Sequence, residues 1–295
     1  MHISSLAIVF AAACELLVPA AAFAYTAVGD RVFPATVLLP QAAPGDAVYV
    51  TPSTRPVPGG GDFTNLTATF DKTITERFGI GIQEGYNWIG REDASTLVGW
   101  QNLNAYVKYE AILDPPHEFL FTIGATHEFG GTGTLRVGAA SDGAMRVPTV
   151  YFAKGLGDLS IGYLRPFALQ GFTTYQVSPG SSRADNFIAG LAVEYSIPYL
   201  QSKVKTFDLP DLLRGMTPLV ETLIMTTTGN RGRATTVAVV APGIAYSGEG
   251  WQFAIEARIP AGNAAGTGVG VLAQFYLSLD YFLSDSIGKP LFSAR

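Results

Sequence analysis

The stretch Trp251–Tyr281 limits the possible folds more than any other part of the chain. In its first run Trp251, Phe253, Ile255, Ala257 and Ile259 fall on one parity; Gln252, Ala254, Glu256 and Arg258 fall on the other. In the second run Val269, Val271, Ala273, Phe275, Leu277, Leu279 and Tyr281 alternate with Gly270, Gln274, Tyr276, Ser278 and Asp280. Successive side chains of a strand point to opposite faces, so each run has one apolar and one more polar face. Gly262, Asn263, Gly266, Thr267 and Gly268 supply turn chemistry between the runs. The second run is 13 residues long. Soluble strands usually have about 5 to 6 residues, whereas a tilted strand needs about 9 to 11 to cross a bilayer. Trp251, Tyr276 and Tyr281 lie near run ends, where an interfacial aromatic girdle belongs. On this hairpin alone a membrane barrel and a soluble β-protein are equally open.

Composition moves the balance. Charged residues are 15% of the 295, against about 25% in an ordinary soluble domain. Past the N-terminus, however, there is no unbroken apolar run of about 18 residues to cross a membrane as a helix. Apolar residues spread two apart are the mark of a β-barrel. The formal net charge is −5 with no basic patch, which argues against nucleic acid as a partner.

The N-terminus is apolar, broken by Glu15 and Pro19, and ends in Ala22-Phe23-Ala24. That is the small-x-small pattern of signal cleavage, so residues 1–24 are expected to be a signal peptide and Tyr25 the first mature residue. Its first residues hold His2 but no Lys or Arg, a departure from the usual signal. A membrane anchor and lipidation at Cys14 are the alternatives. Glu15 and Pro19 oppose the first, and Ala11, standing where a lipoprotein box has Leu, opposes the second. Cleavage after Ala24 leaves a mature chain without cysteine, hence without disulfide or thiolate chemistry.

Residues 25–62 are punctuated by Pro34, Pro40, Pro44, Pro52, Pro56 and Pro58. Proline removes a ladder donor, so these residues are expected to be a leader or a plug folded into a barrel lumen, not central strands. From Phe63 the pattern is strand, turn, strand. Clear alternation runs through 63–71, 77–89, 102–113, 118–129, 186–198 and the hairpin above; 134–140, 147–155, 159–175, 217–228 and 234–246 complete the expected set. The result is an all-β fold, a transmembrane antiparallel up-and-down β-barrel of about 12 strands over residues 63–283, with a tail over 284–295. In the clearly alternating strands, Lys108, Glu110, Glu118, Glu128, Glu194, Glu256, Arg258 and Asp280 all lie on the polar face. A polar interior and an apolar exterior are what a lipid-embedded barrel requires.

Three features resist the pattern. Glu84 intrudes on an apolar face, which predicts a bulge near Gly85 or an interfacial depth. Residues 199–216 have no two-residue period, and are expected to fold into or under the barrel unless the strand count is off by one. Pro166 predicts a bulge in its strand.

The chain resembles proteobacterial outer-membrane proteins related to the family named for the MetA pathway of phenol degradation. The resemblance rests on Gly99-Trp100-Gln101-Asn102-Leu103, Lys154-Gly155-Leu156-Gly157-Asp158-Leu159, Leu164-Arg165-Pro166-Phe167 and Tyr199-Leu200-Gln201-Ser202. Further support comes from Pro218-Leu219-Val220-Glu221, Glu256-Ala257-Arg258-Ile259-Pro260 and Ser286-Ile287-Gly288-Lys289-Pro290-Leu291-Phe292. It covers most of the mature chain and implies an outer-membrane barrel passing small, aromatic or apolar solutes. The tail departs from the terminal aromatic of many such barrels, because Ser293-Ala294-Arg295 follow Phe292.

Catalytic chemistry finds no support. His127-Glu128 lacks a nearby nucleophile motif, and His127 shares parity with lipid-facing phenylalanines. No spaced His, Asp and Glu cluster suggests a metal, and no cofactor is implied. The candidate lumen or constriction residues are Lys108, Glu110, Arg165, Glu194, Glu256, Arg258 and Asp280. The expected function is a passive channel for small solutes in a bacterial outer membrane, delivered there by the barrel-assembly machinery and solvated by its lipid. A non-conducting structural or surface-interaction barrel is the alternative, and an outer-membrane hydrolase a lesser one.

Overall fold

A sheet with one apolar and one polar face leaves edge groups unpaired unless it closes on itself, and this one closes. The computed structural model describes residues 26–57, 60–92, 94–139, 145–178, 184–228, 234–262, 265–266 and 268–292. The expected signal segment, residues 1–24, lies outside the described residues. A short hairpin, β1 (Thr26–Val28) and β2 (Arg31–Phe33), precedes the barrel. The wall follows as β3 (Ala47–Pro56), β4 (Asp62–Thr73), β5 (Phe78–Arg91), β6 (Ala94–Trp100), β7 (Asn104–Asp114), β8 (Phe119–Glu128) and β9 (Met145–Gly155). It continues as β10 (Phe167–Gln176), β11 (Asp185–Tyr195), β12 (Met216–Thr228), β13 (Thr236–Ser247), β14 (Trp251–Ala261) and β15 (Gly270–Ser278). All pairings are antiparallel. β15 pairs with β3 and β4 with β5, so twelve strands close the barrel. β6 folds back on the far half of β5 as an extra strand, after β5 has paired with β7 as far as Gln83↔Asn104. Below, the proximal end is the one where β3 begins and β15 finishes; the other is distal.

The alternation sorts residues as expected. Phe253 and Ile255 face outward while Gln252, Ala254 and Glu256 are buried. Outward residues around the wall include Ile82, Val107, Ile123, Leu191, Ile224 and Val271. Aromatics ring both ends. Distally, Tyr86 meets Trp88 and Trp100 edge-on at 4.7 and 4.9 Å; proximally, Phe167 meets Tyr195 at 4.8 Å and Tyr246 lies 5.7 Å from Trp251. Among the described residues no helix is long and apolar enough to cross a membrane; the strands cross it.

The count of twelve survives two opposite errors in where the strands lie. Leu135–Val137, expected within a strand, is a 3-10 turn on the distal connection. In its place Ala47–Pro56, expected within the leader, is the strand that closes the sheet. Two prolines hid it. Pro52 continues the ladder to β4 opposite Leu66, but the ladder to β15 skips Thr51 and Pro52, so the missing donor falls in that gap. Pro242 in β13 sits in a similar gap in the ladder to β14.

Two local expectations are also corrected. No bulge forms at Gly85; the register to β4 is continuous there, and Glu84 sits where β5 changes partner from β7 to β6. The register shifts instead between Ile89 and Arg91 in the ladder to β6, and between Glu110 and Ile112 in the ladder to β8, where Ile112 faces outward. Pro166 does not interrupt a strand, because β10 begins after it and Gly162–Leu164 is a 3-10 turn.

Residues 196–215 join β11 to β12 at the proximal end. They form helical turns α1 (Ile197–Tyr199) and α2 (Asp211–Arg214) around a π turn. A further turn, α3 (Leu279–Phe282), ends β15, and the tail then lies along the β4–β5 turn, where Phe292 N donates to Ile74 O at 2.9 Å.

Candidate functional site

Between β2 and β3, residues 34–46 run inside the proximal half of the lumen without regular structure. Backbone amides placed there need partners, and water is largely excluded. Pro34, Pro40 and Pro44 carry no N–H, and lumen side chains bond many of the remaining polar backbone groups. Ala35 N donates to Gln252 Oε1 at 3.0 Å, and Gln252 Nε2 returns to Ala35 O at 2.7 Å. Gln170 Nε2 donates to Pro34 O at 2.8 Å and Gln274 Nε2 to Thr36 O at 2.9 Å. The Glu221 carboxylate accepts three consecutive amides, from Val37, Leu38 and Leu39, at 2.8, 2.9 and 2.7 Å. Lys108 Nζ donates to Gln41 O at 2.9 Å. Hydrogen bonds to charged groups contribute about 1.5–3 kcal/mol each, so the Glu221 cluster is the strongest polar grip on the segment.

Packing completes the fit. Phe33, Leu39, Ala42 and Ala43 join Leu120, Ala153, Ala168, Phe172 and Ala192 in one cluster. Val37 joins Leu219, Ala245, Ala254 and Leu272 in another. Alanines at 153, 168, 192, 245 and 254 leave the segment room between the larger inward side chains.

Arg31 fixes the segment's start. It is fully buried, and its Nε donates to Glu118 Oε2 at 3.1 Å. Its other nitrogens donate to Pro166 O, at 3.1 Å, and to Arg165 O, while the guanidinium lies 3.7 Å from the centre of the Tyr199 ring. Glu118 holds a left-handed backbone at φ 49°, a conformation uncommon outside glycine. Its carboxylate rests on the β9–β10 turn: a Cβ on Gly155 would come within 2.0 Å of Glu118 Oε2, so glycine is required. Burial and Glu118 push the Tyr199 hydroxyl up to about 12. Beside this, the Lys154 ammonium hydrogen-bonds Asp158 and holds its carboxyl below the usual range. The motifs 154–159, 164–167 and 199–202 thus converge on Arg31.

The expected lumen residues divide. Lys108, Glu110, Glu194 and Glu256 are buried inside the wall, and Arg258 is half-buried there. Glu194 accepts from Gln170, which ties it to the segment. Glu256 stands beside Glu221, and its carboxyl oxygens accept no hydrogen bond among the described residues. A Cβ on Gly243 would come within 2.5 Å of its Cγ. Two expectations fail. Arg165 follows the 3-10 turn outside the strands, where its Nε donates to Leu159 O at 2.7 Å, because the strand expected from residue 159 begins only at Phe167. Asp280 belongs to α3 at the proximal rim, because β15 ends at Ser278. Burial and the nearby Asp46 carboxylate push Asp280 up to about 6.

Glu221, Gln252, Gln274, Gln170 and Arg31 were missed as site residues. A signal for Glu221 exists, since it is the one carboxylate in Met216–Thr228. It is masked because Leu219 and Leu223 share its inward face and pack on the segment.

Beyond the segment the lumen opens. A cavity of about 310 Å³ has Val37–Gln41 as its floor and Tyr49, Tyr106, Lys108 and Tyr151 among its walls. Gln83 and Thr126 also line the next cavity, of about 430 Å³, toward the distal end.

No family model matches the chain, and no curated protein matches it by sequence. Solved structures match by fold. An outer membrane channel from Pseudomonas putida F1 superposes with a TM-score of 0.55 at 12% identity, over 84% of this chain and 99% of the other. The NanC porin superposes with a TM-score of 0.50 at 10% identity, over 78% of this chain and 98% of the other. At these identities the likeness concerns the fold: the chain is a closed twelve-stranded outer-membrane β-barrel.

Proposed function

We propose that the protein is an outer-membrane channel for small solutes whose lumen is closed by its own residues 31–43, and that displacement of this segment opens it. The grip of Glu221 on three consecutive amides carries the reading. It is the strongest of several polar anchors and lies at mid-segment, in a lumen whose distal half is open and polar. The fold shared with a channel and a porin supports passage of solute, as does the family resemblance in the turn motifs; membership of that family is part of the proposal. The barrel-assembly machinery is the expected route of insertion.

Planar-bilayer conductance of the folded protein tests it. The native chain is expected to be closed or to show rare small steps. Glu221→Ala should give frequent, larger steps while the barrel stays folded by heat-modifiable gel mobility. Silence from both proteins would defeat the channel reading. It would favour the second reading, a non-conducting barrel, for which the apolar packing of the segment is the specific support.

A further inference from the structure

The distal cavity has an unusual lining for a lumen. Carboxamides dominate it: Gln83, Asn87, Gln101, Asn104 and Gln176 converge on one space of about 430 Å³, within the usual range of ligand sites. Among the described residues its lining contains no Arg or Lys, and the one carboxylate there, Glu128, accepts from Asn102 Nδ2 at 2.6 Å. Recognition of anions needs a ring of cations, which this lining lacks.

The amides are braced on one side. Gln101 Nε2 donates to Asn87 Oδ1 at 3.1 Å, and Asn87 Oδ1 also accepts from Asn65 Nδ2 at 2.7 Å. Gln101 lies flat on the strand because residue 85 is glycine; a Cβ there would sit 2.5 Å from its Oε1. Gln83 Nε2 donates to Thr69 Oγ1 at 3.3 Å, Asn104 Nδ2 to Asn102 O at 3.0 Å, and Gln176 Oε1 accepts from Asn186 at 3.3 Å. Among the described residues this leaves the carbonyl oxygens of Gln83, Gln101 and Asn104, and the amide nitrogen of Gln176, without a partner. Where the two cavities meet, Tyr106 adds an aromatic wall; Lys108 Nζ lies 5.2 Å from its ring centre.

Three acceptors and one two-proton donor in fixed positions match hydroxyl groups, each of which both donates and accepts. An apolar or simple aromatic solute would leave these groups unpaired on binding, which is strongly unfavourable. We infer that the distal cavity is a binding site for a neutral, hydroxyl-rich solute of sugar or polyol type, held by carboxamides above the closing segment. The inference rests on the channel reading for its purpose but not for its test.

Isothermal titration of the full folded protein in detergent supplies that test, with maltose, glucuronate and phenol as probes. Maltose is expected to bind in preference to the other two. The Gln83→Leu and Gln101→Leu variants should each weaken it by about tenfold, the loss expected for one buried hydrogen bond. Gln176→Leu, on the opposite side of the cavity, serves as an independent variant should one of these fail to fold. Tighter binding of glucuronate or phenol, maltose affinity unchanged in the folded variants, or no maltose binding at tens of millimolar would each overturn the inference. Binding in a protein that never conducts would defeat the channel reading and leave the site standing.

Discussion

The two halves of the lumen use the same wall differently. In the proximal half, inward positions are alanines, leucines and a few amides or carboxylates, several of which hydrogen-bond the backbone of residues 31–43. In the distal half the inward positions are mostly amides and hydroxyls around open space. Strand geometry is the same in both. What differs is whether the side chains face a folded segment or a cavity, so on the proposed reading proximal residues carry stability and distal residues carry selectivity.

That division can be broken most sharply at Arg31. Arg31→Ala leaves Glu118 buried without its ion partner, a change that costs about 3–5 kcal/mol. The melting temperature of the folded barrel should fall more than for any change in the distal cavity. Glu221→Ala comes next. It removes the acceptor of three amides, which water can replace once the segment leaves, so the change should appear first as conductance while the wall stays closed. Size substitution sharpens the contrast. Ala254→Leu overpacks the proximal half and should cost about 1–3 kcal/mol, whereas Thr126→Leu, which projects into the open cavity, should change stability by less than about 0.5 kcal/mol. Denaturant midpoints of the two variants make the comparison.

The smallest effect is at the rim. Asp280 titrates near 6 in the folded chain, above the ordinary carboxylate range, so the fold holds its proton more tightly than the unfolded chain does. Its contribution is therefore most favourable at low pH and is lost as pH rises through about 6. Asp280→Asn removes that loss. It should stabilise the protein at pH 7 by on the order of 1 kcal/mol, with the difference vanishing near pH 4. A native chain that is no less stable than the variant at pH 7 would contradict this account.

Legibility in the sequence followed how local each determinant is. Phe253 and Gln252 could be assigned to opposite faces from their neighbours alone, and the structure puts them there. Ala47–Pro56 could not be recognised as a strand. Its alternation is short, and whether Pro52 is tolerated depends on a gap in the ladder to β15, more than two hundred residues away in sequence. Glu256 was recognisable as a lumen residue, yet its neighbour Glu221 was not. The leucines beside Glu221 make sense inward only when an apolar segment lies against them. The motifs 154–159, 164–167 and 199–202 are far apart in sequence, and their convergence on Arg31 emerges only when three connections meet at the proximal end.

The sequence by itself determined that this chain is a barrel with an apolar outside and a polar inside. Parity is a property of consecutive residues, and a run of about 9 to 11 or more alternating residues has few other uses. Only the tertiary structure decided what fills the inside. A glutamine or glutamate pointing inward looks the same in sequence whether it meets water, a solute or the backbone of a returning segment. Which of these it meets is set by contacts such as Val37 with Glu221 and Ala35 with Gln252, separated by 184 and 217 residues.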